Sequence, residues 1–168
     1  VMNVLLADLV TGEPGEVVPI AQLPLEVGLA GVAGAGSVMQ QGSGTLVLSG
    51  TNTYSGGTTL GGGRLNLNSG AALGTGSLTI AASTILGNSS GSVLTLSNNN
   101  IQTWNGSFTF AGGNDLNLGI GAVTLGASPT VTVSAGTLTV GGAIGGAYAL
   151  TKAGSGWMLL SGANAYSG

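Results

Sequence analysis

The residues that could do acid–base or nucleophilic chemistry are few and scattered. The chain has no His, no Cys, two basic residues (Arg64 and Lys152) and five acids (Asp8, Glu13, Glu16, Glu26 and Asp115). Without His, a hydrolytic triad lacks its usual general base and zinc its usual ligand. Without Cys, disulfides and thiolate sites drop out. A Ser–Lys nucleophile would rest on Lys152 alone. Glycoside hydrolysis needs two carboxyls at a fixed separation, and beyond residue 26 the one acid is Asp115. It follows Gly112-Gly113-Asn114 and reads as a turn residue. Gly61-Gly62-Gly63 lacks the Lys-Ser/Thr of a phosphate loop, and repeat calcium motifs need an Asp in every nonapeptide. The expectation is a non-enzymatic chain with no catalytic residues, no cofactor and no metal.

Binding chemistry is better represented. Trp157, Trp104 and Tyr148 could stack on sugars or meet a partner, and Trp157 is the foremost of the three. Nucleic acid is excluded as a partner, because two cations cannot neutralise a row of phosphates. The uncharged stretch 65–114 is interrupted throughout by Ser, Asn and Gly, so this segment does not insert into a membrane as a helix. No basic n-region precedes an apolar run, so no signal peptide is read here.

The elements that must position these residues follow from composition. Gly supplies 34 of 168 residues, and Ser, Thr and Asn supply 17, 18 and 12. Charged residues are 4%, against roughly 25% in an average domain. With 43% apolar residues the chain is not a disordered one, and it lacks the bulk of helix formers that a bundle uses. An all-β protein of short strands and tight turns remains. Four acids and three of the four prolines fall within the first 26 residues, which sets residues 1–41 apart from 42–168. The leader holds short extended pieces, Val1–Val10 and Leu23–Val27, around the turn Thr11-Gly12-Glu13-Pro14-Gly15. Pro24 would confine the second piece to a sheet edge. Residues 28–41 read as a connector, and the whole leader as a linker, a cap or a strand donated to a neighbour.

Internal repetition carries most of the information. The fifteen residues from Gly42 to Gly56 return from Gly154 to Gly168 with ten identities. Between the copies a looser apolar–polar–apolar unit recurs, as Leu65-Asn66-Leu67, Leu78-Thr79-Ile80, Leu94-Thr95-Leu96 and Phe108-Thr109-Phe110. It continues as Leu116-Asn117-Leu118, Val123-Thr124-Leu125, Val131-Thr132-Val133 and Leu138-Thr139-Val140. Alternation sends the outer pair to one face and the middle residue to the other. Strands this short bury an apolar face only by stacking coil on coil, as in a β-solenoid. Large aromatics are expected to be nearly absent from its core. The inward set comprises Leu46, Leu48, Leu65, Leu67, Leu78, Ile80, Leu94, Leu96, Phe108, Phe110, Val131, Val133, Leu138, Val140, Met158 and Leu160. The middle Thr79, Thr95, Thr109, Thr124, Thr132 and Thr139 face outward, where they could form a ladder.

The segments Gly44–Leu60 and Gly63–Leu67, with Gly154–Gly168, resemble the passenger-associated strand repeat of bacterial autotransporters. The shared signature is Gly44, Leu46, Leu48, Gly50, Asn52, Tyr54 and Gly56, repeated as Gly156, Met158, Leu160, Gly162, Asn164, Tyr166 and Gly168. The resemblance implies a right-handed parallel β-helix, extracellular or on the bacterial cell surface, with a structural or adhesive role toward a host or neighbouring cell. Gly168 falls inside a repeat, so self-association is expected, with head-to-tail filaments completed by residues 1–27 as one route.

Overall fold

A computed structural model describes residues 17–20 and 26–168. The described residues form no helix and wind through successive coils. The first three coils are β1 (Val17–Ile20) and β2 (Glu26–Ala30), β3 (Ser37–Gln40) and β4 (Thr45–Ser49), β5 (Thr58–Leu60) and β6 (Arg64–Leu67). The next two add a third strand: β7 (Leu78–Ile80), β8 (Thr84–Asn88), β9 (Leu94–Thr95), then β10 (Gln102–Trp104), β11 (Phe108–Ala111), β12 (Leu116–Asn117). The last two are β13 (Val123–Leu125), β14 (Thr130–Ala135), β15 (Thr137–Val140), then β16 (Ile144–Gly145), β17 (Thr151–Ala153), β18 (Trp157–Leu160). Two seven-stranded sheets and one four-stranded sheet result. Each described strand pairing is parallel, which makes the fold a parallel β-solenoid.

Stacking turns the short apolar units into columns. On the second sheet Val27, Leu46, Leu65, Leu86, Phe110 and Val133 lie in register. On the third, Leu94, Leu116, Leu138 and Met158 do the same. Most of the expected inward set is fully buried, while Leu94, Met158 and Leu160 are partly buried against the core. Each fully buried Leu, Val or Phe stabilises the fold by roughly 1.5–3 kcal/mol relative to exposure, so the columns hold the coils together.

Three expectations need correction. Residues 28–41 are not a connector, because β2 pairs with β4 from Glu26↔Thr45 to Ala30↔Ser49 and β3 pairs with β5. The solenoid therefore extends back past residue 42. Glu26 and Val27 are paired inside the chain and are not left over for a neighbour, and so is β1 on β3. The pieces Val1–Val10 and the turn at 11–15 lie outside the described residues, as does Pro24, although β2 does end its sheet. Second, two aromatics outside the expected inward set, Tyr54 and Trp104, are buried along with the expected Phe108 and Phe110. Third, the six Thr do not make one ladder. Thr79 and Thr124 lie on the first sheet, Thr109 and Thr132 on the second, and Thr95 and Thr139 on the third. Register instead stacks Thr59, Thr79, Thr103 and Thr124 on the first sheet.

Candidate functional site

The three aromatic candidates are not brought together. Trp104 is fully buried, so it does not offer the partner or glycan contact expected of it. Alternation along β10 puts it in register with Ile80 and Leu125, both inward. Its Nε1 donates to Gln102 Oε1 at 3.2 Å, and its ring meets Phe108 edge-on at 5.1 Å. Tyr148 is 43% exposed and lies in the connection between β16 and β17. Trp157 is 77% exposed on β18, in the third sheet. Leu159, two residues along and therefore on the same face, is 54% exposed. Their register partners are Thr137 and Thr139. Leu159 was missed in the sequence, yet a signal was there: in Met158-Leu159-Leu160 the middle position holds an apolar residue, as Val47 does in the first copy, where the looser units between the copies hold Thr or Asn.

The signature residues form a hydrogen-bonded staple between coils. Asn52 is buried; its Oδ1 accepts from Val32 N at 2.8 Å and its Nδ2 donates to Ala72 O at 2.7 Å. One side chain thus binds the coil before and the coil after. Asn164 Oδ1 accepts from Ile144 N at 2.9 Å. Both asparagines reach a donor twenty residues back. Tyr54 is buried and its hydroxyl shares a 2.6 Å hydrogen bond with Thr58 Oγ1. Burial pushes the Tyr54 hydroxyl up to about 12, and the bond to Thr58 works against that rise. Tyr166, its counterpart, is partly buried. Leu46 and Leu48 are fully buried, as are Gly44 and Gly156.

The two copies do not sit on the same side of the solenoid. In the first, β4 lies in the second sheet and residues 50–57 close the third side of their coil. In the second, β18 lies in the third sheet. The residues after it run along the first, with Ala165 N donating to Ile144 O and Ser167 N to Gly146 O.

The charged groups serve the backbone. Asp115 Oδ1 accepts from Thr137 N at 2.7 Å, which keeps it a turn residue. Arg64 Nε donates to Asn66 Oδ1 at 2.8 Å and Nη2 to Ala111 O at 3.2 Å, so the guanidinium lies across the second sheet. A side chain at Gly87 would collide with this pair of residues. Lys152 is exposed and its Nζ donates to Gly154 O at 2.5 Å. Among the described residues, no three His, Cys, Asp or Glu side chains converge to hold a metal, and no helix is long and apolar enough to cross a membrane. The geometry supplies a ladder and a surface, on which Trp157 is the most exposed large apolar side chain among the described residues and Leu159 shares its strand face.

Residues 40–67 and 150–168 match the passenger-associated-transport-repeat family. The adhesin BmaC autotransporter of Brucella suis biovar 1 (strain 1330) is 46% identical over 56 residues, which make up 33% of this chain and 2% of that protein. The match thus spans a small fraction of the relative's length. No solved structure matches.

Proposed function

We propose that this chain is a non-catalytic stretch of a secreted, passenger-type β-solenoid, extracellular or on the cell surface, with a structural and adhesive role. The observation that carries the reading is the staple made by Asn52. The best-matching repeat residues spend their hydrogen bonds on the coils above and below, so they lengthen a rigid rod and do not build a pocket. The adhesin relative supports the adhesive half of the reading. The test is surface exposure of the parent protein. Protease added to intact cells should remove an epitope tag placed beside residues 42–168, and protection until lysis would overturn the reading.

A second reading is favoured by the exposure of Trp157 with Leu159: the pair contacts a glycan or a partner surface. A ring stacked on a sugar face contributes through its apolar body. Trp157→Ala should abolish binding on a glycan array while leaving the fold intact. Self-association through the same pair is the competing outcome, and a concentration-dependent sedimentation coefficient that Trp157→Ala removes identifies it.

A further inference from the structure

The outer face of the second sheet carries a shallow, open cleft of about 380 Å³. It lies on β8, β11 and β14, a different sheet from Trp157. Two outward columns line it. Ile85, Thr109 and Thr132 lie in register. One step earlier, on the same face, come Ser83, Ser107 and Thr130. Neighbouring coils are ~4.8 Å apart and the two columns ~6.7 Å apart, as the strand geometry requires.

The lining is rich in hydroxyls and uncharged; Arg64, the next residue of the Ile85 column, borders it with its guanidinium bonded to Asn66 and Ala111. Ser107 Oγ accepts from Thr130 N at 2.9 Å. The hydroxyls of Ser83, Thr109, Thr130 and Thr132 have no hydrogen-bond partner among the described residues, and all four residues line the cleft. Ser83, at its head, has φ +61°, a left-handed conformation that non-glycine residues seldom adopt and that clusters at ligand sites. Ile85 and the Thr methyls add a small apolar floor.

From this arrangement we infer that the cleft is a binding site for a neutral saccharide. Hydroxyls both donate and accept, so an array of them matches a ligand that also does both. The lining carries no charge and the Arg64 guanidinium beside it is already bonded to Asn66 and Ala111, which favours a neutral sugar over a sulfated or uronic one, and the Ile85 side chain suits the C–H face of a pyranose ring. The inference goes beyond the proposed role and does not depend on the Trp157 surface.

The test is a titration of the isotopically labelled chain with three neutral probes, maltotetraose, cellotetraose and mannotetraose, followed by amide chemical shifts. Saturable shifts at Thr109, Thr130 and Thr132 with at least one probe are expected. Thr109→Val with Thr132→Val keeps the β-branched shape and should weaken that binding by about tenfold or more, while Trp157→Ala leaves it unchanged. Ser83→Gly separates a site from mere architecture: relief of the left-handed strain should raise the unfolding midpoint while the lost hydroxyl weakens binding. No saturable shift with any probe would overturn the inference. So would shifts confined to Trp157, or a heparin fragment that binds the cleft more tightly than the neutral sugars.

Discussion

Gln40 and Lys152 occupy equivalent points of the two repeat copies, and each donates to the carbonyl of the glycine two residues on. Gln40 Nε2 reaches Gly42 O at 3.0 Å and also Gly44 O at 3.0 Å. Lys152 Nζ reaches Gly154 O at 2.5 Å. The turn before the signature strand thus takes a long donor side chain in both copies, an amide in one and an ammonium in the other. Solvent decides which is used: Gln40 is buried and neutral, whereas Lys152 is exposed and can keep its charge hydrated.

Gln40→Leu should destabilise the fold by about 1–3 kcal/mol, because the buried Gly42 carbonyl loses its side-chain donor and the Gly44 carbonyl keeps only Arg64 N. Lys152→Leu should stay within about 0.5 kcal/mol, since water replaces the ammonium. Urea midpoints at unchanged m-value measure both, and equal losses would contradict the account.

Asn52→Ala should cost roughly 2–3 kcal/mol, as it leaves Val32 N and Ala72 O without their buried partner. Asn164→Ala should cost clearly less, because Asn164 is exposed. Amide exchange at Val32 should rise in the first variant alone.

Tyr54 makes stability fall at alkaline pH. Its folded value, about 12, lies above the unfolded value of ~10. The stabilisation is complete below about pH 10 and is lost as pH rises toward 12, by roughly 2–3 kcal/mol in all. Tyr54→Phe should lose this slope and cost about 1 kcal/mol at neutral pH, where the buried Thr58 hydroxyl loses its partner. Unfolding free energies measured at about pH 8 and about pH 11 distinguish the two proteins.

Gly63→Ala should destabilise by roughly 2–3 kcal/mol. Its φ is +58°, and an added methyl would press on the Gly42 and Gly44 carbonyls and sit 2.9 Å from Gln40 Nε2. Gly28→Ala in β2 is the matched control: nothing lies within 4 Å of its added methyl, so the change should be neutral or slightly stabilising. Thermal midpoints of the pair check the contrast.

The solenoid and most of its inward residues were legible because Leu-x-Leu units with Gly-rich turns admit few other packings. What stayed hidden was polar. Gln40 and Gln102 point inward, so β3 and β10 lack the apolar pair that marks most of the strands, and the coil at 28–41 reads as a connector. Trp104 reads as a surface contact because a sequence shows its size but not its register with Ile80 and Leu125. In the early coils, residues such as 50–57 close the third side without a strand, so nothing periodic marks them. The Ser and Thr of the cleft on β8, β11 and β14 were readable one strand at a time. Their convergence depends on register between coils, which period-two alternation does not specify.

The rotation of one repeat copy relative to the other changes how the signature looks from outside. An antibody raised against the Gly-Ser-Gly to Tyr-Ser-Gly motif would meet its two epitopes on different sides of the rod, turned around the axis and not aligned along it. Both arms of one immunoglobulin could not then engage a single rod from one direction, and cross-linking between neighbouring rods would be the favoured geometry.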